Sequence, residues 1–357
     1  MHLTLLAVDW VLLIEKAVLI SIILAVSLLV AMYETWAERK VAALMQDRRG
    51  PNRAGPGGLF QPLADGQKLF MKEEIIPKSS NRLLFVLGPG LAMLTAMMTS
   101  AVVPWSSHLN IGGRHVSLQI ADVNIGILYI FGVVSMGVYG VMIGGWASNN
   151  KFSLLAAVRG ASQIISYELA MGLAIISLLM ITGSLSLKTI VEQQQTGHYY
   201  ILLQPLGFLI FLVCAFAECN RTPFDLSEAD SELNMGFHLE YSSMKLGFYL
   251  FAEYVNVFIS SAVMATLYFG GYDIPFVDDA SLAERWGQNT VAGLEALTFF
   301  VKIVLFILFF MWVRWTIPRF RYDQLMKLGW KILIPLALIN MLVTGFVILV
   351  RHNGWPF

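Results

Sequence analysis

Six carboxylates fall within 23 residues of one stretch, AFAECNRTPFDLSEADSELNMGFHLEY. They are Glu218, Asp225, Glu228, Asp230, Glu232 and Glu240, with Arg221 the only Lys or Arg among them. Acids this close repel one another when ionised, and partial burial disfavours the charged form further. Such a row can hold a variable number of protons near neutral pH. That is the chemistry of a proton relay, or of a sensor of charge nearby. Thr222-Pro223-Phe224-Asp225 reads as a helix start, with Thr222 as cap, Pro223 at the first helical position and Asp225 as a capping-box acid. A helix from Pro223 would put Asp225, Glu228 and Glu232 on one face at i, i+3 and i+7. A solvated acidic loop, with Asp225 a simple cap, is the competing reading. A calcium loop does not fit, because the spacing and the missing central glycine differ from an EF-hand.

Two further acids lie inside apolar runs. Glu168 and Glu253 each sit seven residues in from the same side, roughly 10 Å deep at the helical rise. A charge in hydrocarbon costs a few kcal/mol unless paired or hydrated. Their matched depth beside the acidic stretch predicts a shared polar pocket, against two separately satisfied acids. Lys302 is also mid-run and is a candidate partner ion or proton carrier. Glu15 and Lys16, adjacent near the outer end of the first run, read as snorkelling to the interface.

The elements that must position these groups are membrane helices. Of the 357 residues 57% are hydrophobic and 13% charged, with net charge zero and mean hydropathy +0.67. Soluble domains carry about 25% charged residues. A span needs about 20 mostly apolar residues, and eight runs qualify: 11–33, 83–103, 123–146, 161–182, 199–217, 246–269, 294–313 and 332–350. The expected fold is a single all-α membrane domain, 1–357, with short interfacial helices between spans. Lys and Arg number 18 in the alternate connections 37–82, 147–160, 218–245 and 314–331, against four in the opposite set. By the positive-inside rule both termini face the outer, periplasmic side, and the basic loop 37–82 and acidic loop 218–245 face the cytoplasm. MHLTLLAVDWVLLIEK has neither a basic n-region nor a small-residue cleavage site, so the first run is expected to stay as an anchor.

In the basic loop, Gly50-Pro51 and Gly55-Pro56-Gly57-Gly58 break any helix, and Arg48, Arg49 and Arg53 crowd that turn. Residues 59–72 read as an interfacial helix, with Leu59, Leu63 and Phe70 on one side and Asp65, Lys68 and Lys72 on the other. Such a helix serves equally as a lip for a lipid-soluble ligand and as a docking surface for a soluble subunit. No histidine lies mid-span, and there is no Fe–S cysteine set and no dinucleotide fingerprint. Any redox chemistry therefore takes its electrons from another chain. Cys214 and Cys219 read as small helix residues.

ERKVAALMQDRRGPNRAGPGGLFQPLADGQKL, AECNRTPFDLSEADSE and PRFRYDQLM closely resemble the H subunit of bacterial respiratory complex I, the proton-pumping NADH:quinone oxidoreductase. GWASN and QIISYE fit as well, and the similarity covers nearly the whole chain. The resemblance implies an eight-span inner-membrane subunit that forms most of a quinone tunnel, binds no cofactor of its own and takes ubiquinone or menaquinone as substrate. Its partners are the peripheral-arm quinone-site and Fe–S subunits and the neighbouring membrane-arm subunits. The quinone-head ligands belong to a partner, so no catalytic residue is expected here. Carried over by position, Glu38, Arg39, Arg48, Arg314 and Tyr241 belong to the tunnel. Glu168, Glu218, Asp225, Glu228, Asp230, Glu232, Glu240 and Glu253 belong to the proton path, and Arg53, Asp65 and Lys68 to the face toward the peripheral arm. Cys219 stands where the pattern expects Thr, and no family role attaches to Lys302. The alternatives are the related subunit of an energy-converting hydrogenase, with ion coupling but no quinone, a purely structural anchor, and a lone antiporter.

Overall fold

The computed structural model describes residues 10–352 other than 112, 229, 276 and 278, and leaves out the side chains of 111, 230, 231, 279–281, 283 and 352. Asp230 is thus placed by its backbone only. The helices, in chain order, are α1 (Trp10–Met45), α2 (Gln61–Met71), α3 (Arg82–Thr99), α4 (Gly126–Ala147), α5 (Lys151–Thr182), α6 (Leu187–Thr196) and α7 (Tyr200–Leu203). They continue with α8 (Pro205–Glu218), α9 (Asp230–Leu233), α10 (Ser243–Tyr268), α11 (Asp279–Trp286), α12 (Gln288–Thr316), α13 (Tyr322–Lys327) and α14 (Ile334–His352). Among the described residues seven helices are long and apolar enough to cross a membrane, and Pro205–Glu218 is a shorter apolar one. The chain is a multi-pass membrane protein.

The apolar runs at 11–33 and 294–313 become longer helices than the bilayer needs. The 36 residues of α1 rise about 54 Å, against roughly 30 Å of hydrocarbon. Its C-terminal end, ETWAERKVAALM, therefore continues past a bilayer's thickness as a rigid rod that carries Glu34 and Glu38. Its N-terminal part keeps Leu12, Leu13, Ile22 and Leu29 exposed, a surface suited to lipid. Most of α10 is buried by contrast, packed on α1, α3 and α12 at the centre of the bundle.

The run at 199–217 is not one helix. It breaks at Gln204, in a non-helical conformation, because the following Pro205 lacks an N–H and crowds the residue before it. The break is held by side chains: Gln204 donates to Thr344 Oγ1 at 2.7 Å and accepts from Asn340 at 3.0 Å.

An element the hydropathy pattern does not announce is an antiparallel hairpin, β1 (His108–Ile111) with β2 (Arg114–Ser117), in register His108↔Ser117. Among the described residues the fold is thus helical with one short hairpin. Buried Glu295 of α12 accepts from Ser106 Oγ at 2.9 Å and from the Ser107 backbone at 2.8 Å, tying the hairpin's base to the bundle. On the same side Leu187, Ile190 and Val191 bury one face of α6, and Gln194 donates to the Thr266 carbonyl at 3.0 Å. The connection at 183–200 is therefore part of the bundle.

Lys302 reaches backbone carbonyls just beyond the end of α10. Its ammonium donates to the carbonyls of Phe269, Gly271 and Asp273 at 2.8, 2.9 and 2.7 Å. These lie where α10 ends and its last carbonyls lose their helical partners, so Lys302 caps that terminus. Lys16 likewise reaches the Gln119 carbonyl, at 2.9 Å, rather than snorkelling freely.

Candidate functional site

Glu34 and Glu38 are one turn apart on α1 and share a face. Both are buried, at 4% and 7% exposure, and both line a cleft of about 270 Å³. Tyr254 from α10 and Phe310 and Arg314 from α12 close the sides, and Arg221 from the loop after α8 closes the inner end. The cleft thus lies between α1, α10 and α12, with no described residue of the loop after α1 on its wall, and Arg314 and Glu38 meet in it as an ion pair. Glu38 also accepts from the Tyr254 hydroxyl at 2.8 Å and stands 3.9 Å from Arg221. The Arg221 guanidinium lies over the Tyr254 ring, 4.1 Å from its centroid, a cation–π contact that helps hold a buried cation.

Behind Arg221 lies a second group of acids. Glu228 is 3.5 Å from His238 and hydrogen-bonds Glu253, and both Glu228 and Glu253 act electrostatically on Arg221. A carboxyl–carboxylate hydrogen bond needs one proton between the two groups. Burial pushes Glu228 up, but the bond to Glu253 and the charges of His238, Arg221 and Arg314 outweigh it and hold it below the usual carboxylate range. Asp225 pairs with Arg319 at 2.6 Å. Burial first, then the Glu228 charge, nonetheless push Asp225 up to about 6, with Arg319 only partly opposing them.

Glu253 also lines a chamber of about 580 Å³, with Glu218, Asn220, Asn256, Thr95 and Thr99. A second, more apolar chamber of about 590 Å³ shares Thr99, Val134, Glu218 and Asn256 with it. Glu218 thus stands on the wall between a polar and a greasy compartment. Glu168 is elsewhere, bonded to Ser135 in an open groove beside Trp330 and Ile334. The expected pocket shared by Glu168 and Glu253 is therefore not formed. Equal depth fixes height along the membrane normal, but the rotation of each helix decides which neighbour an acid faces.

The expected helix from Pro223 is also absent. The chain turns from Arg221 to Phe224, and the Phe224 and Ala217 carbonyls both accept from buried Gln163, at 2.6 and 2.8 Å. Pro223 gives its carbonyl to the Phe320 amide at 3.2 Å. These tertiary bonds replace the helical ladder, so Asp225, Glu228 and Glu232 do not share a face. Glu232 turns outward to Arg159 at 2.8 Å, with its side chain 43% exposed. Gly236 closes the loop at positive φ (80°), where a Cβ would fall 2.0 Å from the Ser227 carbonyl oxygen, so only glycine fits.

The remaining residues singled out from the sequence spread over the end of the bundle that carries the basic and acidic loops. Arg39, one residue past Glu38 and so turned about 100° around the helix, pairs with Asp65 of α2 at 2.7 Å. Arg39 and Arg48 line an open basic cleft with Arg49 and Trp315. Arg53 and Lys68 are exposed. Glu240 accepts from Asn150, the cap of α5, at 2.8 Å. Tyr241 is buried against α3, stacked on Phe85 with centroids 4.0 Å apart, and lies outside the Glu38 cleft.

Sequence reasoning missed Glu34, Tyr254 and Asn256, and gave Arg221 no role. The i, i+4 spacing of Glu34 and Glu38, and a lone arginine inside an acid-rich stretch, are the signals that could have found two of these. Nothing local marks Tyr254 or Asn256.

Together these features define a polytopic helical membrane protein with a buried, charged cleft backed by a cluster of ionisable groups. The sequence profile described as NADH dehydrogenase matches residues 17–345, so the chain belongs to that family. It is similar to the NADH-quinone oxidoreductase H subunit 1 of Cytophaga hutchinsonii, 66% identical over 337 residues, 94% of this chain and 97% of that protein. It is 62% identical over 340 residues to the NADH-quinone oxidoreductase H subunit of Flavobacterium johnsoniae, covering 95% and 96%. The corresponding H subunit 1 of Geobacter metallireducens is 46% identical over 332 residues, covering 93% and 96%.

Proposed function

We propose that this chain forms the quinone tunnel of a proton-pumping NADH:quinone oxidoreductase and couples quinone reduction to proton movement through its acidic loop. The observation that carries the reading is the position of Arg221. It stands between Glu38, which lines the cleft, and the Glu228–Glu253 pair behind it. A charge change at either set of acids is felt by the other through one cation, in a low-dielectric site where such coupling is strong.

The cleft takes the quinone as substrate, and electrons arrive from a partner subunit. Forming quinol takes up two electrons and two protons. Arg314, Glu38 and Tyr254 set the polarity of the wall, while Ile307, Phe310 and Met311 receive the isoprenoid part. The altered field then redistributes protons among Glu228, Glu253, Glu218 and Glu168, with Glu218 placed to pass them between the two chambers. Exposed Arg53 and Lys68, with Asp65 beside them on α2, present a docking face for the peripheral arm. The membrane is the bacterial inner membrane, with α7 and α8 together as the eighth span and both termini outside. The 18-to-four split of Lys and Arg supports that orientation.

The test is Arg221→Met in the assembled complex. NADH:quinone turnover and proton pumping should fall at least tenfold, while NADH oxidation by an artificial acceptor at the flavin persists. Full quinone turnover would refute the reading.

A further inference from the structure

Glu34 plays no part in the coupling described above, yet it is among the most buried carboxylates of the chain. It is 4% exposed on the cleft wall, and its Oε1 has no hydrogen-bond partner. The groups facing it come from every element around it. They are Glu38 on α1 itself, Cys219 and Arg221 from the end of α8 and its loop, Tyr254 from α10, and Arg314 from α12. From α2, Asp65 is already neutralised by Arg39.

The charges do not balance if every group is ionised. Glu34, Glu38 and Glu253 are buried and Glu228 partly so, around the guanidiniums of Arg221 and Arg314; His238, the other basic group, sits against Glu228 and outside the cleft, so within the cleft Glu34 and Glu38 face only Arg314 and a shared Arg221. An uncompensated buried charge costs several kcal/mol, so the cluster retains protons. One is already required by the Glu228–Glu253 hydrogen bond. Arg221 is not committed to either side: its Nη2 has no hydrogen-bond partner, and its contact to Glu38 is a long 3.9 Å.

We infer that Glu34 and Glu38 share one proton, and that this proton decides which acids Arg221 neutralises. The inference rests on the reading that the cleft receives the quinone. With the proton present, the pair carries a single negative charge that Arg314 matches, and Arg221 serves Glu228 and Glu253. When the proton leaves to water, the pair carries two negative charges and draws Arg221 into the cleft. Glu34 is thus a positioning residue, acting on the coupling group through charge. Its loss of a proton should stall turnover on the alkaline side.

The experiment is the pH profile of NADH:quinone reduction in membranes holding the assembled complex, each profile normalised to its own maximum. Glu34→Gln cannot lose the proton, so its alkaline fall should move up by about one pH unit or more, the scale of coupling between neighbouring sites. Glu34→Asp keeps a carboxyl and should keep the fall. A Glu34→Gln profile that superimposes on the wild type overturns the inference. If Glu34→Gln does not assemble, Glu34→Asp decides by infrared difference spectroscopy between resting and quinol-reduced complex. A displaced carboxylic C=O band supports the inference, and an unchanged spectrum overturns it. Glu38→Gln, run in parallel, separates the two levels. Lost quinone reduction there with an unmoved Glu34→Gln profile refutes this inference alone, whereas intact quinone reduction in Glu38→Gln refutes the quinone reading and this inference with it.

Discussion

Tyr254 hydrogen-bonds Glu38 across 2.8 Å although 216 residues separate them in the chain. That bond joins α10, the most buried of the long apolar helices, to α1, the longest. It also presses Glu38 against two arginines. Removing the carboxylate leaves the Arg314 and Arg221 charges facing a low-dielectric wall. Breaking one partner of a buried pair costs about 3–5 kcal/mol. Glu38→Gln is therefore expected to lower NADH:quinone turnover by more than tenfold, measured against flavin-site activity as the assembly control.

The acids of the loop should separate into two classes. Glu228 is largely buried, with its side chain 19% exposed, and is bonded to Glu253, so Glu228→Gln should slow coupled quinone reduction severalfold. Glu232 is half exposed and paired with Arg159 at the surface, a pair worth about 0–1 kcal/mol. Glu232→Gln should change turnover by less than about twofold, on the same scale of surface pairs. Steady-state rates of the two variants side by side check the ordering.

Asp225 gives the loop a pH signature. Its value rises from 3.8 to about 6 on folding, so the native carboxyl binds its proton more tightly than the unfolded one. The stability it contributes is fully present below pH 3.8 and is lost as pH rises through about 6. Thermal unfolding of the solubilised complex should therefore show a steeper loss across that window in the wild type than in Asp225→Asn.

Lys302 should prove structural. Lys302→Met leaves the Phe269, Gly271 and Asp273 carbonyls without their donor, at roughly 1–3 kcal/mol for each group left unsatisfied. The melting temperature and the yield of assembled complex should drop, while turnover per assembled complex stays at the wild-type value. A selective loss of pumping would instead make Lys302 a proton carrier.

The Gly55–Gly58 turn tests the basic loop. Gly58 sits at φ 77°, and a Cβ there would lie 2.2 Å from the Pro51 carbonyl oxygen. Gly58→Ala should cost about 1–3 kcal/mol of local strain and displace the Arg48–Arg53 turn. Binding of the peripheral arm, followed by sedimentation, should weaken.

The sequence by itself determined the membrane class and the family. Runs of about 20 apolar residues, and long charge-bearing strings such as AECNRTPFDLSEADSE, are local properties of the chain. The resemblance also put Glu38 and Arg314 in one group, and the two meet as an ion pair. What only the tertiary structure decided is which acid faces which partner. Depth along the membrane follows from counting residues at a fixed rise, but azimuth follows from how helices pack. Glu168 therefore turned to Ser135 and Glu253 to Glu228. The stretch after Pro223 gave up its helix for the same reason: Gln163, 54 residues before Ala217 and 61 before Phe224, holds their carbonyls, and long-range bonds of that kind leave no local mark. Glu34 acquired its significance when Arg221, distant in the chain, was folded against it.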